Sequence, residues 1–271
     1  MIRKILILLL LCSTAFGQWS YQQKPMLGQQ IDWNNPLTKG LVGCWLMNEG
    51  AGNVVQDLSG NGNTGVFGVG AAEPSWTAGK FGPGISAWTA DTIYAPINMA
   101  APPYTLLAWF NHTSPYTTNS VVSIANSSQT HYLALMARGT VVSAFVYDGG
   151  NKFCDSVGTY SYGTWTQGVV VFESLTSRKA YVNGGGVGSS AVAWTDHAPD
   201  RASMAVTADS TPGLSYFGKI DHVMIYNRAL SASEIAELYR NPFCFIQEAF
   251  PVWWYGGIGG VPSVGQVIYI N

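Results

Sequence analysis

The sequence predicts an all-β fold: two antiparallel sheets packed face to face as a jelly-roll sandwich, with one short helix near the C-terminal end. Three observations carry that expectation. Short apolar and aromatic runs recur at intervals of roughly ten residues between clusters of Gly, Asn, Ser and Pro. Thirty-one glycines and 13% aromatic residues stand against only 10% charged ones, a composition of strands and tight turns rather than of a helical bundle. No segment repeats at a fixed period, which disfavours propellers and solenoids.

The elements follow in order along the chain. Residues 1–17 carry Arg3 and Lys4, an apolar run, then small residues ending at Gly17, the layout of a secretory signal peptide. The run falls short of the about 20 residues a membrane span needs, and no later segment comes closer, so export without a transmembrane segment is expected. Residues 18–35 are polar and amide-rich and read as a leader that contributes little to the core. A single domain is expected over 36–241, with strands over 41–47, 105–110, 121–125, 132–136, 141–147, 167–172, 178–182 and 220–226.

Asn183-Gly184 after an alternating run predicts a tight hairpin, since both residues tolerate positive φ. Ser231 and Glu234 form the S-x-x-E box that starts a helix, and Ile235, Leu238 and Tyr239 recur on one of its faces. Asn241-Pro242 stops it, because proline cannot continue the hydrogen-bond ladder. The tail, 242–271, concentrates Phe243, Phe245, Ile246, Phe250, Trp253, Trp254 and Tyr255. So many aromatic rings would not be left in water, which predicts docking on the tail's own sandwich or self-association with another subunit.

Charge and cysteines bound the function. Thirteen basic against fifteen acidic side chains, a formal net charge of −2, argue against nucleic acid. Beyond the signal segment lie Cys44, Cys154 and Cys244, so an oxidising compartment allows one bridge at most. Cys44 sits in an apolar run where a buried thiol is expected. No C-x-x-C spacing suggests zinc.

Five ordered blocks between Gly40 and Tyr239 resemble the laminin-G-like, concanavalin A-like lectin/glucanase jelly-roll domains. The first is G-L-V-G-C-W at 40–45 with N-E-G at 48–50 and D-L-S-G-N-G-N-T-G at 57–65, and the second is G-K-F-G at 79–82. The third is the aromatic strand at 104–110; the fourth couples Trp165-Thr166 to the strand through Phe172 and to Y-V-N-G at 181–184. The fifth is the strand, turn and capped helix of 217–239. His222 stands where the family usually has an acidic residue after the aspartate of the last strand, and Gln167-Gly168 replaces a common histidine and branched residue. The resemblance implies the jelly roll, and since related domains often hold a structural calcium it keeps that ion in view.

Asp57, Asn61 and Asn63 form a glycine-rich D-x-x-x-N-x-N loop whose oxygens could gather around calcium, and equally a pair of plain turns. Asp221 is in phase with Val223 and Ile225 on a strand, so its carboxylate requires backbone donors, Arg228 or a cation beside it. No paired-carboxylate pattern, G-x-S-x-G elbow or H-E-x-x-H helix is present, and His112, His131, His197 and His222 are scattered, so no catalytic residues are assigned. Glu173 stands alone at a strand end.

Aromatic rings and amide or carboxylate groups at loop positions suit a sugar, whose C–H faces stack on rings while its hydroxyls require paired polar groups. Trp194 and Tyr116, set among polar neighbours, are expected as exposed rings, with Asn119 and Asp196 as hydrogen-bonding partners. The leading expectation is therefore a secreted, non-catalytic module that binds a glycan or an extracellular protein through rim loops. The competing class is a structural or assembly protein of a surface, fibre or virion that uses the tail for subunit contacts, and an enzyme of the same fold comes third.

Overall fold

The strand predicted over 105–110 is longer than expected and buried on both faces, which makes the molecule three layers deep. The computed structural model describes residues 23–68, 73–114, 118–211 and 213–247. In chain order the strands are β1 (Leu41–Trp45), β2 (Val54–Val55), β3 (Gly65–Phe67), β4 (Ser75–Ala78), β5 (Pro83–Ala87), β6 (Ile93–Pro96), β7 (Tyr104–His112) and β8 (Asn119–Ala125). They continue as β9 (Tyr132–Arg138), β10 (Val141–Tyr147), β11 (Asn151–Lys152), β12 (Trp165–Ser174), β13 (Ser177–Val182), β14 (Gly185–Ser190), β15 (Arg201–Met204) and β16 (Gly218–Tyr226), followed by helix α1 (Ala232–Arg240).

Two eight-stranded antiparallel sheets result. The first runs β14-β13-β12-β7-β16-β5-β4 with β1 also on β16, and the second runs β11-β10-β9-β8-β15-β6-β3-β2. Leu106, Ala108 and Phe110 of β7 face the second sheet and join Leu133, Leu135, Val142 and Ala144 in the inter-sheet core. Leu107 and Trp109, one residue out of phase, face the other way into a second core with Ile235 and Leu238 of α1. Both faces of β7 are thus covered, so its residues read as a continuous apolar run instead of an alternation. Among the described residues no helix is long and apolar enough to cross a membrane.

Local chemistry sets the ends of these elements. Asn183 and Gly184 take φ of 51° and 74° at the β13–β14 hairpin, as the Asn-Gly step predicts. Ser231 caps α1 by accepting from Glu234 N at 3.3 Å, while Glu234 Oε2 accepts from Ser231 N at 2.8 Å. Tyr239 completes the predicted face by stacking on Trp109, centroids 5.5 Å apart.

The leader is where expectation and structure part. Ile31 is 2% exposed and Lys24 8%, so this segment belongs to the core instead of lying outside it. Asp32 N donates to Phe245 O at 2.8 Å and Gln247 N to Gln30 O at 2.8 Å, which zips the leader to the start of the tail. Phe243 and Phe245 are buried in the outer core, so the tail docks on its own sandwich as far as Gln247. The signal segment 1–17 and tail residues 248–271 lie outside the described residues. All three described cysteines are unpaired, and burial raises the Cys44 thiol far above its ordinary range.

Asp221 is fully buried at a bulge in β16 and needs several partners at once. Its Oδ2 accepts from Lys80 N at 2.7 Å and Phe81 N at 3.0 Å, and its Oδ1 meets His222 Nδ1 at 3.0 Å and Lys24 Nζ at 3.1 Å. Lys24 also donates to the carbonyls of Asp221, at 2.8 Å, and Pro83. Gly79 is required beside it, since a Cβ there would lie 2.3 Å from Asp221 Oδ2. Burial raises the Asp221 pKa, but His222 and Lys24 outweigh it and hold the carboxyl below its usual value. Arg228, the cation expected beside it, instead pairs with Glu234 at 2.8 Å.

Removing one member of this buried pair leaves an uncompensated charge, so Lys24→Met should destabilise the fold by about 3–5 kcal/mol. Lys24→Met with Asp221→Asn should recover much of that loss in urea denaturation; additive losses would show that the two side chains act separately.

Candidate functional site

A cleft opens at the end of the second sheet, and a single tryptophan explains why it is there. The segment 191–200 has no regular structure and crosses from β14 to β15. Trp194 drives its ring into the core against Phe172, donates from Nε1 to Ser174 O at 3.0 Å, and is 5% exposed. Arg178 Nη1 holds Val192 O at 2.8 Å upstream, and Met99 N holds Pro199 O at 3.0 Å downstream. Between those anchors Thr195 N donates to Asp148 Oδ2 at 3.0 Å and Asp196 Oδ2 accepts from Tyr104 OH at 3.0 Å. Residues 195–197 are thereby presented to the cleft, opposite His131, Tyr132 and Tyr147.

Stacked rings and unpaired polar atoms define the cleft's chemistry. His131 and His197 lie face to face, centroids 3.9 Å apart and 23° from parallel, and Tyr132 and Tyr147 stack at 5.6 Å and 21°. His131 Nδ1, His197 Nε2 and Asp196 Oδ1 are sheltered from solvent and have no hydrogen-bond partner. Groups left so are costly unless something supplies the missing bonds. Burial raises the Asp148 pKa, but bonds from Lys152 and Thr195 N outweigh it and keep the carboxyl below its usual range. Burial, then the neighbouring His131, lowers the His197 pKa, so the ring is neutral at pH 7. Burial, reinforced by Asp209, raises Tyr132, which keeps its hydroxyl as a donor.

With this geometry in hand, the comparisons place the chain. A family model described as the concanavalin A-like lectin/glucanases superfamily matches residues 89–236, more than half of the sequence. The chain belongs to that superfamily. No curated protein matches it. Among solved structures, it is similar to domain 4 of an extracellular arabinanase from Geobacillus stearothermophilus, in complex with arabinotriose, at TM-score 0.60 and 16% identity. That alignment covers 73% of this chain and 98% of the arabinanase domain. The binding domain of a paraclostridial mosquitocidal protein follows at TM-score 0.56 and 16% identity, covering 77% of this chain and 53% of that one. A Trypanosoma rangeli sialidase in complex with the inhibitor DANA aligns at TM-score 0.54 and 15% identity, over 76% of this chain and 33% of the sialidase. The chain thus spans about half of the toxin domain and a third of the sialidase, and what the three share with it is the fold.

Against this superfamily frame the sequence-predicted residues divide. Asp196 lies in the cleft. Trp194 lines it too but is not the exposed ring expected, because its indole is the plug that anchors the crossover. Asn119 departs from expectation as well: it is 3% exposed and outside the cleft lining, its Oδ1 meets His112 Nε2 at 2.9 Å and its Nδ2 donates to Ser215 O at 2.6 Å. Tyr116 lies outside the described residues. Sequence reasoning missed His131 and His197, which looked scattered, along with Tyr132 and Tyr147. The one signal for the tyrosines was their outward phase at facing ends of β9 and β10, where they are cross-strand partners.

Asp57, Asn61 and Asn63 do come together, around the backbone of β1. Asp57 Oδ1 accepts from Cys44 N at 3.0 Å and Ser59 N at 2.9 Å, and its Oδ2 accepts from Asn63 N at 2.9 Å and Ser59 Oγ at 2.7 Å. Asn61 and Asn63 turn their Nδ2 groups, not their oxygens, to Val42 O, at 3.0 and 2.8 Å. These bonds make the loop the tie between β1 and the turn that follows it. Asp57→Ala should therefore cost about 2–3 kcal/mol or more, from three backbone donors left without an acceptor. Melting curves should show the same loss in calcium and in chelator; a loss confined to calcium would mean that the ion, not the backbone, is Asp57's partner.

Proposed function

We propose that this protein is an exported, non-catalytic module that binds an uncharged oligosaccharide in the cleft between residues 195–197 and the ends of β9 and β10. The observation that carries the reading is the pairing of half-buried tyrosine rings with three sheltered polar atoms, Asp196 Oδ1, His131 Nδ1 and His197 Nε2, that lack partners. Sugar hydroxyls both donate and accept, so they match a carboxylate oxygen beside imidazole nitrogens, while C–H faces pack on tyrosine. Asp196, whose free oxygen has no cation against it, disfavours an anionic sugar. The fold shared with an arabinanase domain in complex with arabinotriose supports a short neutral glycan as the first ligand to try.

The non-catalytic part rests on the carboxylates. Glycoside hydrolysis requires one carboxylic acid with a raised pKa, whereas Asp148 is tied to Lys152 and Thr195 N and held low. Glu173 is occupied by Lys179 at 2.6 Å and Ser177 at 2.7 Å. Export rests on the signal-like segment 1–17.

A glycan array followed by calorimetry with arabinotriose tests the reading. Tyr147→Ala and Asp196→Ala should each weaken binding by about tenfold or more, which corresponds to 1.4 kcal/mol, and Asp196→Ala should also lower the melting temperature because the buried Tyr104 hydroxyl loses its acceptor. Trp194→Ala should instead lower stability by about 3–5 kcal/mol. An array with no hit, or an Asp196→Ala protein that binds as tightly as the parent, would overturn it.

A further inference from the structure

We infer that His131 and His197 form a one-proton switch that closes this cleft to its sugar as the pH falls below neutral. The inference rests on the glycan reading and adds its regulation. The two rings come from separate elements, His131 from the turn before β9 and His197 from the crossover, yet they stack at 3.9 Å with one unpaired nitrogen each. Two imidazolium rings cannot share that spacing without strong repulsion in a partly buried site, while one imidazolium beside one neutral ring can. The pair therefore takes up a first proton and resists a second, so its titration belongs to the pair and not to either ring.

The charges around the pair decide what the first proton does. Asp196 and Asp148 both attract it. Asp148 is already neutralised by Lys152, and Asp196 Oδ2 is bonded to Tyr104 OH, which leaves Asp196 Oδ1 as the free negative atom. Asp200 is engaged by Ser127 in the turn before β9, at 2.7 Å from its N, and Asp209 acts on Tyr132. A proton on the pair turns an imidazole acceptor into a donor and places a positive charge next to Asp196. The first removes an acceptor, and the second gives Asp196 Oδ1 a partner within the cleft in place of a sugar hydroxyl, so protonation and sugar binding compete. Burial and His131 together hold His197 low, as expected for the ring that resists the second proton.

Two measurements on the full chain test this. NMR titration of the histidine ring protons should show two separated steps for His131 and His197, with His197→Asn leaving a single step for His131. Coincident, independent curves in the parent protein would overturn the inference and leave the glycan reading untouched. Arabinotriose affinity should fall about tenfold between pH 7.5 and 5.0, as expected when uptake of one proton excludes the sugar. Binding at pH 7.5 that is unchanged at pH 5.0 defeats the switch alone. No binding of arabinotriose or of any array sugar at pH 7.5 defeats the glycan reading and the switch together.

Discussion

One buried carboxylate holds the layers of this molecule in register. Asp221 sits on the central strand of the first sheet, and its oxygens are shared among the turn at 79–82, the adjacent His222 and Lys24 from the leader. Without those partners its burial would be prohibitive, so the fold must bring three segments distant in sequence to one point. That requirement explains the G-K-F-G block in physical terms. Gly79 leaves space for the oxygen, Lys80 and Phe81 contribute backbone donors, and the Phe81 ring covers Trp109 at 5.2 Å. His222 then adds a neutral donor where a second carboxylate would have needed another cation. Burial lowers its pKa more than Asp221 raises it.

Covering the first sheet on both faces has a further consequence. The inner face packs on the second sheet, and the outer face is covered by α1, the leader and the start of the tail. The second sheet differs. Its outer side carries a smaller cluster of Ala134, Met136 and Phe145 with Tyr132, Tyr147 and Phe153 packed against it. Among the described residues no helix lies over these half-buried aromatic side chains, which supports the proposed ligand site there.

These features set how much could be read from the chain alone. The strand, turn and capped helix of 217–239 were legible because their signals are local: a hydroxyl three residues before a glutamate, a helical spacing and a proline stop. β2, β3, β11 and β15 are two to four residues long and β14 is half glycine, so none offers a period to detect. The leader was misjudged because its contributions, Lys24 and Ile31, meet partners at the other end of the domain, pairings no periodicity reveals. Trp194 was misread for a related reason. One apolar side chain in a polar segment looks exposed in the sequence, although it is the anchor that lets its neighbours be polar and still ordered.

That anchor links stability to recognition. Trp194 and Arg178 fix both the path and the direction of the crossover, so Thr195, Asp196 and His197 meet β9 and β10 without a regular element of their own. Ala198, with φ of 46°, turns the chain back immediately after His197 and is bonded through its N to Asp196 Oδ2 at 3.4 Å. A left-handed alanine is tolerated only where its surroundings over-determine it, and here they do so on either side of the polar residues. Preorganisation of this kind lowers the ordering cost that a small ligand must offset, which is why a shallow cleft with only a few polar atoms can still be selective. The same rigidity holds two imidazoles in contact, so the features that support the proposed binding site also underlie its proposed response to a single proton.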